Sequence, residues 1–373
     1  MLPIVTPLEL RLRHIIKTAG SISVARFMQI ALSDPEFGYY QTRDPLGVQG
    51  DFITSPEISQ IFGEIIGLWC VVTWQNAGRP RNIILVELGP GRGTLMSDIL
   101  ETTKKVSQEF INALKVHLIE TSPVLKKLQK AVLKDYEITW HNDIETIPSE
   151  PALIIANEFF DALPTEQYVM TKDGWYQRHI TVDQEYDKLS FINVPITKEE
   201  SPIFPHQISN AKIGSIFERN AISEGIIKSI AERTRDNGIA SLIIDYGHTQ
   251  TQLGETLQAV KSHNYHNPLT DMGEIDITSH VDFEALAATS ESLGTRVHGP
   301  ITQRDFFRTL GIQQRTTILA GKVEGGQVPL LLEGSRRLIA KDGMGTLFKV
   351  MAITTKRGET PAGFEFDLLG NQS

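Results

Sequence analysis

The residues with the most chemical content stand together at Glu87-Leu88-Gly89-Pro90-Gly91-Arg92-Gly93-Thr94. Gly89 and Gly91 permit a tight turn and a close approach of backbone to a ligand, and a helix that starts behind Gly93 offers free N–H groups. A dinucleotide fingerprint reads G-x-G-x-x-G, and its third glycine would fall at position 94, which is threonine. The pattern here is G-x-G-x-G with a glutamate two positions ahead. It suits a ligand with no pyrophosphate to cradle, such as the methionine part of S-adenosylmethionine, with Glu87 near a cationic amino or sulfonium end. The plainer alternative is a glycine-rich turn that holds nothing.

Glu120 follows the next apolar run, where a carboxylate can accept both hydroxyls of a ribose. That geometry supports a nucleoside without choosing among nucleoside cofactors, and a solvated strand-end carboxylate is the alternative. Asp143, in His141-Asn142-Asp143, is placed to meet an adenine amino group or to serve as a turn aspartate. The run Ile154-Ile155-Ala156 continues into Asn157-Glu158-Phe159-Phe160-Asp161-Ala162-Leu163-Pro164. Carboxylates in that position could hold a guanidinium by paired hydrogen bonds and take the proton lost when its nitrogen is methylated. Phe159 and Phe160 would keep water away. The competing reading is a helix start with Asp161 in its first turn.

These residues need elements to hold them. Ile83–Leu88, Val116–Glu120, Tyr136–Trp140, Ala152–Asn157 and Ser241–Tyr246 read as strands, with helices over Thr94–Phe110 and Pro123–Lys134. The alternation predicts an α/β fold, a Rossmann-like sheet with right-handed crossovers. Ahead of it, helical spacing over Leu8–Lys17, a Ser23 cap for a helix to about Leu32, and Ser55-Pro56 opening a helix to about Asn76 predict a helical N-terminal region. Gln167–Val194 alternates like a small antiparallel element, Pro195–Ser209 reads as a loop, and Gly247–Ser279 is polar. Residues 1–80 are therefore expected to pack on a catalytic domain over 81–353, with substrate-side insertions at about 165–220 and 247–280 and a tail over 354–373.

Composition narrows the classes. The chain has 373 residues, 40% hydrophobic and 22% charged, with a formal net charge of −9. An acidic surface without a lysine or arginine block disfavours a general nucleic-acid binder. Cys70 is the single cysteine, so disulfides and cysteine-based zinc sites are excluded. It lies in the apolar run Ile65–Trp74, which is about half the length a membrane span needs. The ten histidines are scattered, and no metal is expected. MLPIVTPLEL lacks the pattern of a signal peptide, and a reducing compartment is expected: bacterial-type cytoplasm, or the mitochondrial matrix for a matured organellar form.

Taken together, the chain resembles the MidA-like family of arginine methyltransferases related to the mitochondrial complex I assembly factor. Gly50–Gln60, Glu87–Gly93, Asn157–Pro164, Asp245–His248, Asp276–Phe283 and Met344–Val350 carry the resemblance, in order and over nearly the whole chain. It implies a class I methyltransferase fold with S-adenosyl-L-methionine held by Gly89, Gly91, Glu120 and Asp143. It also implies an arginine on a partner protein as the acceptor, with a complex I subunit as one candidate. The two glutamates that usually flank the arginine-methyltransferase loop are represented here only by Glu158 and Asp161. Ser55, Glu57 and Gln60 could close over the cofactor, or Ser55 could be a helix cap with Glu57 on the dipole. His280 is read as the first helical residue behind a Ser279–Asp282 capping box rather than as a base. Direct in-line transfer is the expected mechanism, with Asn157, Glu158 and Asp161 orienting the acceptor. An assembly module with little catalysis is the second reading. A nicotinamide oxidoreductase is the third, disfavoured by Thr94.

Overall fold

Ile83–Leu88 is buried along its whole length, because it lies at the centre of a sheet covered on both faces. The computed structural model describes residues 5–44, 54–197, 201–261, 263–323 and 325–365. In chain order these form α1 (Pro7–Ala19), β1 (Ile22–Ser23), α2 (Val24–Ser33), α3 (Tyr39–Thr42), α4 (Ser55–Ile58) and α5 (Gln60–Asn76). The sheet unit follows with β2 (Ile83–Leu88), α6 (Thr94–Val106), α7 (Gln108–Ala113), β3 (Leu114–Ile119), α8 (Pro123–Val132), β4 (Ile138–His141) and β5 (Ala152–Asn157). Next come β6 (Glu166–Thr171), β7 (Gly174–Asp183), β8 (Lys188–Pro195), β9 (Ile216–Arg219), α9 (Ala221–Asn237) and β10 (Ile239–His248). The chain then makes β11 (Gln258–Lys261), β12 (Asn264–His266), β13 (Asp276–Thr278), β14 (Val281–Asp282), α10 (Phe283–Ser292) and β15 (Thr295–Thr302). It closes with α11 (Gln303–Thr309), α12 (Ile312–Ala320), α13 (Val328–Ile339), α14 (Met344–Leu347) and β16 (Phe348–Thr355).

The main sheet has the order β15-β16-β10-β5-β2-β3-β4, with β14 paired to the end of β10. Every neighbour from β10 to β4 is parallel, and β16 runs antiparallel to both β10 and β15. Alternation sorts the side chains by face. Ile83 and Leu85 join Phe62, Trp69 and Ile99 from α5 and α6, while Ile84, Val86 and Leu88 join Ile227 and Leu286 from α9 and α10. Order reverses between β2, whose crossover leads to β3, and β5 on its other side. The strand ends at that point open a crevice, where ligands of such sheets bind.

Several element boundaries differ from the sequence reading. Thr54 caps α4, Ser55 and Pro56 are its first residues, and the helix breaks at Ser59, which is extended and caps α5. The predicted helix over 94–110 breaks likewise at Ser107, whose hydroxyl caps α7. Asp282, not Ser279, caps α10, so His280 precedes a two-residue strand instead of opening the helix. Gln167–Val194 folds as the antiparallel strands β6, β7 and β8, joined by β9 and by β1 from the N-terminal region. The polar Gly247–Ser279 run carries a second small sheet, β12-β11-β13. Both build one satellite core with α1 and α2, in which Leu12, Phe27 and Met28 meet Ile180, Leu189 and Ile277. Beyond β16, Phe364 is fully buried against Phe306, and Ala362 accepts a hydrogen bond from the Trp69 indole. Cys70 is buried, and no helix among the described residues is long and apolar enough to cross a membrane.

Candidate active site

β2 delivers Glu87 and then the glycine turn. Gly89 has φ +60° and Gly91 φ +53°, both in the left-handed region. A Cβ on Gly89 would stand 2.8 Å from Phe159 Cδ2, so the turn and the loop after β5 touch only because residue 89 has no side chain. Gly93, also left-handed, caps α6 and packs on Gln129 rather than lining the cavity. Gln129 is fully buried. Its Nε2 donates to the Gly91 carbonyl at 2.8 Å and to Glu120 Oε2 at 3.1 Å, while its Oε1 accepts from the Trp140 indole at 2.9 Å. One amide thus fixes the turn relative to the carboxylate after β3. Sequence reasoning passed over Gln129; the available signal was a polar residue one turn after Leu125 on the buried face of α8.

Two acids line the cavity beside the turn. Glu87 is buried, its Oε2 has no hydrogen-bond partner, and burial together with the nearby Glu120 pushes its carboxyl up to about 8. Glu120 is raised by burial too, against the opposing hydrogen bonds from the Ser122 N–H at 2.8 Å and from Gln129. Asp143 is not part of the cavity lining. Its carboxylate turns back to accept from the Glu145 N–H at 2.9 Å, capping a short 3-10 turn as a turn aspartate does.

The loop after β5 supplies the opposite wall. Glu158 has φ +49°, a strained conformation for a residue with a side chain. Its Oε1 accepts from the Ser55 N–H at 2.7 Å and the Asn157 amide at 3.3 Å. Burial raises its carboxyl to about 7 in spite of the Ser55 bond, with Asp161 adding to the rise. Asp161 accepts from the Tyr246 hydroxyl at 2.5 Å and is raised by burial to about 6. Asn157 Oδ1 and Asp161 Oδ1 are buried without partners. Beneath them the fully buried Asp245 carboxylate accepts from the N–H groups of Phe159, Phe160, Asp161 and Tyr246. It shapes the loop; composition and spacing singled out neither Asp245 nor the Tyr246 that holds Asp161.

The N-terminal elements cover this cavity. Arg92, in the glycine turn, pairs bidentately with Asp44 at 2.7–2.8 Å and reaches Glu57 at 3.6 Å. Thr94 Oγ1 donates to Glu57 as well. On the other side, Ser122 Oγ donates to the Tyr40 carbonyl at 2.6 Å, and the Tyr40 hydroxyl donates to Asp276 at 2.9 Å. Glu57 lines the cavity while the Ser55 side chain does not. Gly50–Ile53, at the head of the motif that ends in Gln60, lies outside the described residues.

The cavity so enclosed measures about 240 Å³. A larger one, about 410 Å³, lies behind Phe160 and includes His248, His280 and Asp282. Size does not decide between them. The larger cavity has no glycine turn, its acids Glu218, Glu224 and Asp282 are already bonded, and its His280 meets the smaller cavity through an edge contact with Tyr246. Among the described residues no group of three or more His, Cys, Asp or Glu side chains is arranged to hold a metal ion. The smaller cavity fits a nucleoside that carries positive charge. An unpartnered buried oxygen on Glu87 answers a cation, Glu120 stands where a diol can be accepted, and Gly89 leaves room that a Cβ would take.

A sheet with this order and a cationic-nucleoside crevice at its reversal defines a Rossmann-like enzyme class. Comparison with known proteins specifies it. Residues 65–301 match the family described as "Putative S-adenosyl-L-methionine-dependent methyltransferase", and the chain belongs to that family. The mitochondrial protein arginine methyltransferase NDUFAF7 of Homo sapiens is 34% identical over 94% of this chain and 83% of its own length. The Xenopus tropicalis protein of the same name is 34% identical over 91% of this chain and 83% of its own. A Burkholderia thailandensis protein described as a "likely methyl transferase" and solved with S-adenosyl-homocysteine has the same fold. Its TM-score is 0.82 at 22% identity, over 98% of both chains. The protein is an S-adenosyl-L-methionine-dependent methyltransferase.

Proposed function

We propose that the acceptor is an arginine side chain of a partner protein, held by Glu158 and Asp161 with Asn157 beside them. The observation that carries this reading is a pair of buried carboxyls, each raised by burial, on the wall facing the turn. A guanidinium keeps its charge at any ordinary pH and offers donors in a planar fork, so it suits two converging carboxylates. The cofactor supplies a methyl group on a positively charged sulfur that leaves as a neutral thioether. Asp161 or Glu158 takes the proton that the nitrogen sheds, and Phe159 closes the site against water. Glu87, Glu120, Gly89 and Gly91, with Glu57 from the cover, form the cofactor side, while Gly93 caps α6 behind the turn and Ser55 holds Glu158. Asp143 is not part of that side, its carboxylate being taken by the Glu145 N–H. The names of the vertebrate relatives support an arginine acceptor.

The same reading assigns a class I methyltransferase fold. The N-terminal helical region packs on the catalytic domain, with α2 to α4 over the cofactor, the insertions at about 165–220 and 247–280 form the acceptor side, and the domain continues past 353 through β16 to the buried Phe364. The compartment is a reducing one, bacterial-type cytoplasm or the mitochondrial matrix, and the printed name of the human relative calls that protein mitochondrial. A subunit of respiratory complex I is the first partner to try, as the family resemblance implies.

Methyl-labelled cofactor incubated with protein extract should yield labelled N-methylarginine after acid hydrolysis. Glu158→Gln and Asp161→Asn should each lower that yield by about a hundredfold or more, the scale of losing a general base and an orienting pair. Label confined to small molecules would refute a protein acceptor. Undiminished cofactor binding with no transfer to any acceptor would favour an assembly module.

A further inference from the structure

The N-terminal arm does more than lie over the cofactor turn. We infer that the main-chain N–H of Ser55 positions the Glu158 carboxylate for the acceptor, which makes the arm a structural part of the acceptor site. This rests on the reading that Glu158 faces the methyl acceptor.

Glu158 sits at the end of β5 in a left-handed backbone conformation, φ +49°, where a side chain is strained and its direction is set by its surroundings. Two donors fix that direction through Oε1. The Asn157 amide is its own neighbour, at 3.3 Å, and the Ser55 N–H, at 2.7 Å, arrives from 103 residues away. The shorter of the two therefore comes from the arm. Ser55 is the first residue of α4, so its N–H is one of the donors that no helix carbonyl can satisfy. With this partner Glu158 takes up the orphan donor. The same helix is tied down on its other side, where Glu57 accepts from Thr94 and meets Arg92, both in the glycine turn. Seating α4 on the cofactor turn therefore places an N–H where Glu158 needs it, and displacing α4 frees the carboxylate to turn away. The backbone that binds the cofactor and the group that orients the acceptor are joined through two residues of one short helix.

Ser55→Pro removes that N–H together with the buried hydroxyl, and Ser55→Ala, which removes the hydroxyl alone, is the reference against which the N–H is read. Proline belongs at the first turn of a helix, and Thr54, at φ −71° and ψ 161°, already has the extended conformation that a residue before proline adopts. The probes are S-adenosylhomocysteine and sinefungin, in which an amine-bearing carbon stands in place of the methylated sulfur. The two share every contact except those of the charged amine, which occupies the position of the transferred methyl. Calorimetry should show the sinefungin over S-adenosylhomocysteine affinity ratio falling about tenfold in the proline variant, roughly the loss of one charge-assisted hydrogen bond. Equal loss for both ligands would reduce the arm to a cofactor cover and overturn the inference, as would an unchanged ratio. If Ser55→Pro does not fold, the Ser55 amide proton resonance decides the matter. In the wild-type chain it should lie downfield, titrate with Glu158 and move upfield in Glu158→Gln; a resonance indifferent to that substitution rejects the positioning role. If neither probe binds the wild-type protein, the proposed cofactor site itself has failed, a result distinct from either of these.

Discussion

Glu87 is held in its acid form at neutral pH by burial and by Glu120, with its carboxyl raised to about 8. A cation bound beside it would restore the carboxylate, so the cofactor must expel a proton whenever it binds below that pH. Affinity is therefore expected to rise with pH up to about 8 and then level off, with a slope approaching tenfold per pH unit on the acid side. Calorimetry in buffers of different ionisation enthalpy reads the proton directly, and Glu87→Gln should abolish it. The stability of the free protein has the opposite dependence. The group titrates near 4.5 when unfolded and near 8 when folded, so the folded state binds the extra proton between those values and loses stability as pH rises through them. Glu87→Gln removes that cost. The gap in Tm in favour of the variant should open between pH 5 and 8, reach a few degrees, and stay constant above. A gap independent of pH would show that Glu87 is ionised in the free protein. Turnover follows the acceptor pair: with Glu158 raised to about 7 and Asp161 to about 6, kcat/KM should climb across pH 6–7 as the carboxylates form.

Among the elements, the turn after β2 is constrained from both sides. A methyl group at residue 89 meets Phe159 at 2.8 Å on a backbone at φ +60°. Gly89→Ala should therefore cost about 1–2 kcal/mol of stability and weaken S-adenosylhomocysteine binding by about tenfold or more. Equilibrium denaturation and calorimetry measure the two, and unaltered binding would show that the loop does not close on the turn. This turn and its strand were legible in the sequence because a fully buried parallel strand is largely apolar, Glu87 being the exception that faces the site, and glycine spacing is local. Ala152–Asn157 matched residue for residue for the same reason. What escaped notice depends on distance along the chain. Gln129 reads as a polar residue in a helix until α8 lies against Gly91 and Glu120. Asp245 reads as a strand-end acid until the loop from Asn157 folds over it. Asp143 showed the converse, since a nearby backbone N–H satisfied its carboxylate before any ligand had to.

At the scale of the whole molecule the described residues form two main cores that meet at a crevice, with a smaller cluster of Tyr168, Ile208 and Phe217 in the first insertion. The sheet with its helices forms one, and α1 and α2 with the two inserted sheets form the other. The insertions carry regular strands because each has the N-terminal helices to pack on, a pairing across more than 150 residues that local pattern cannot reveal. Across the crevice the arm is fastened at its middle by Arg92, whose guanidinium faces Asp44 at 2.7 Å and Glu57 at 3.6 Å, all three side chains being partly shielded from solvent. An exposed pair of this kind contributes at most about 1 kcal/mol. A guanidinium that meets both Asp44 and Glu57 also confines them, and its loss should be felt more in local opening than in global stability. Arg92→Ala is therefore expected to leave Tm within a few degrees of the wild type. Amide exchange should quicken severalfold in residues 24–44 and 54–58, with the strands β2 and β5 unaffected. Because Glu57 and the Ser55 N–H move with those residues, the variant should also lose about tenfold in cofactor affinity. Added salt should carry the wild-type protein only part of the way, since the pair is partly screened from ions. Hydrogen exchange read by mass spectrometry with and without S-adenosylhomocysteine tests the whole set. If exchange in the arm is the same in both proteins, Arg92 does not fasten it, and the Glu57–Thr94, Ser55–Glu158 and Tyr40–Ser122 bonds hold it to the sheet without that guanidinium.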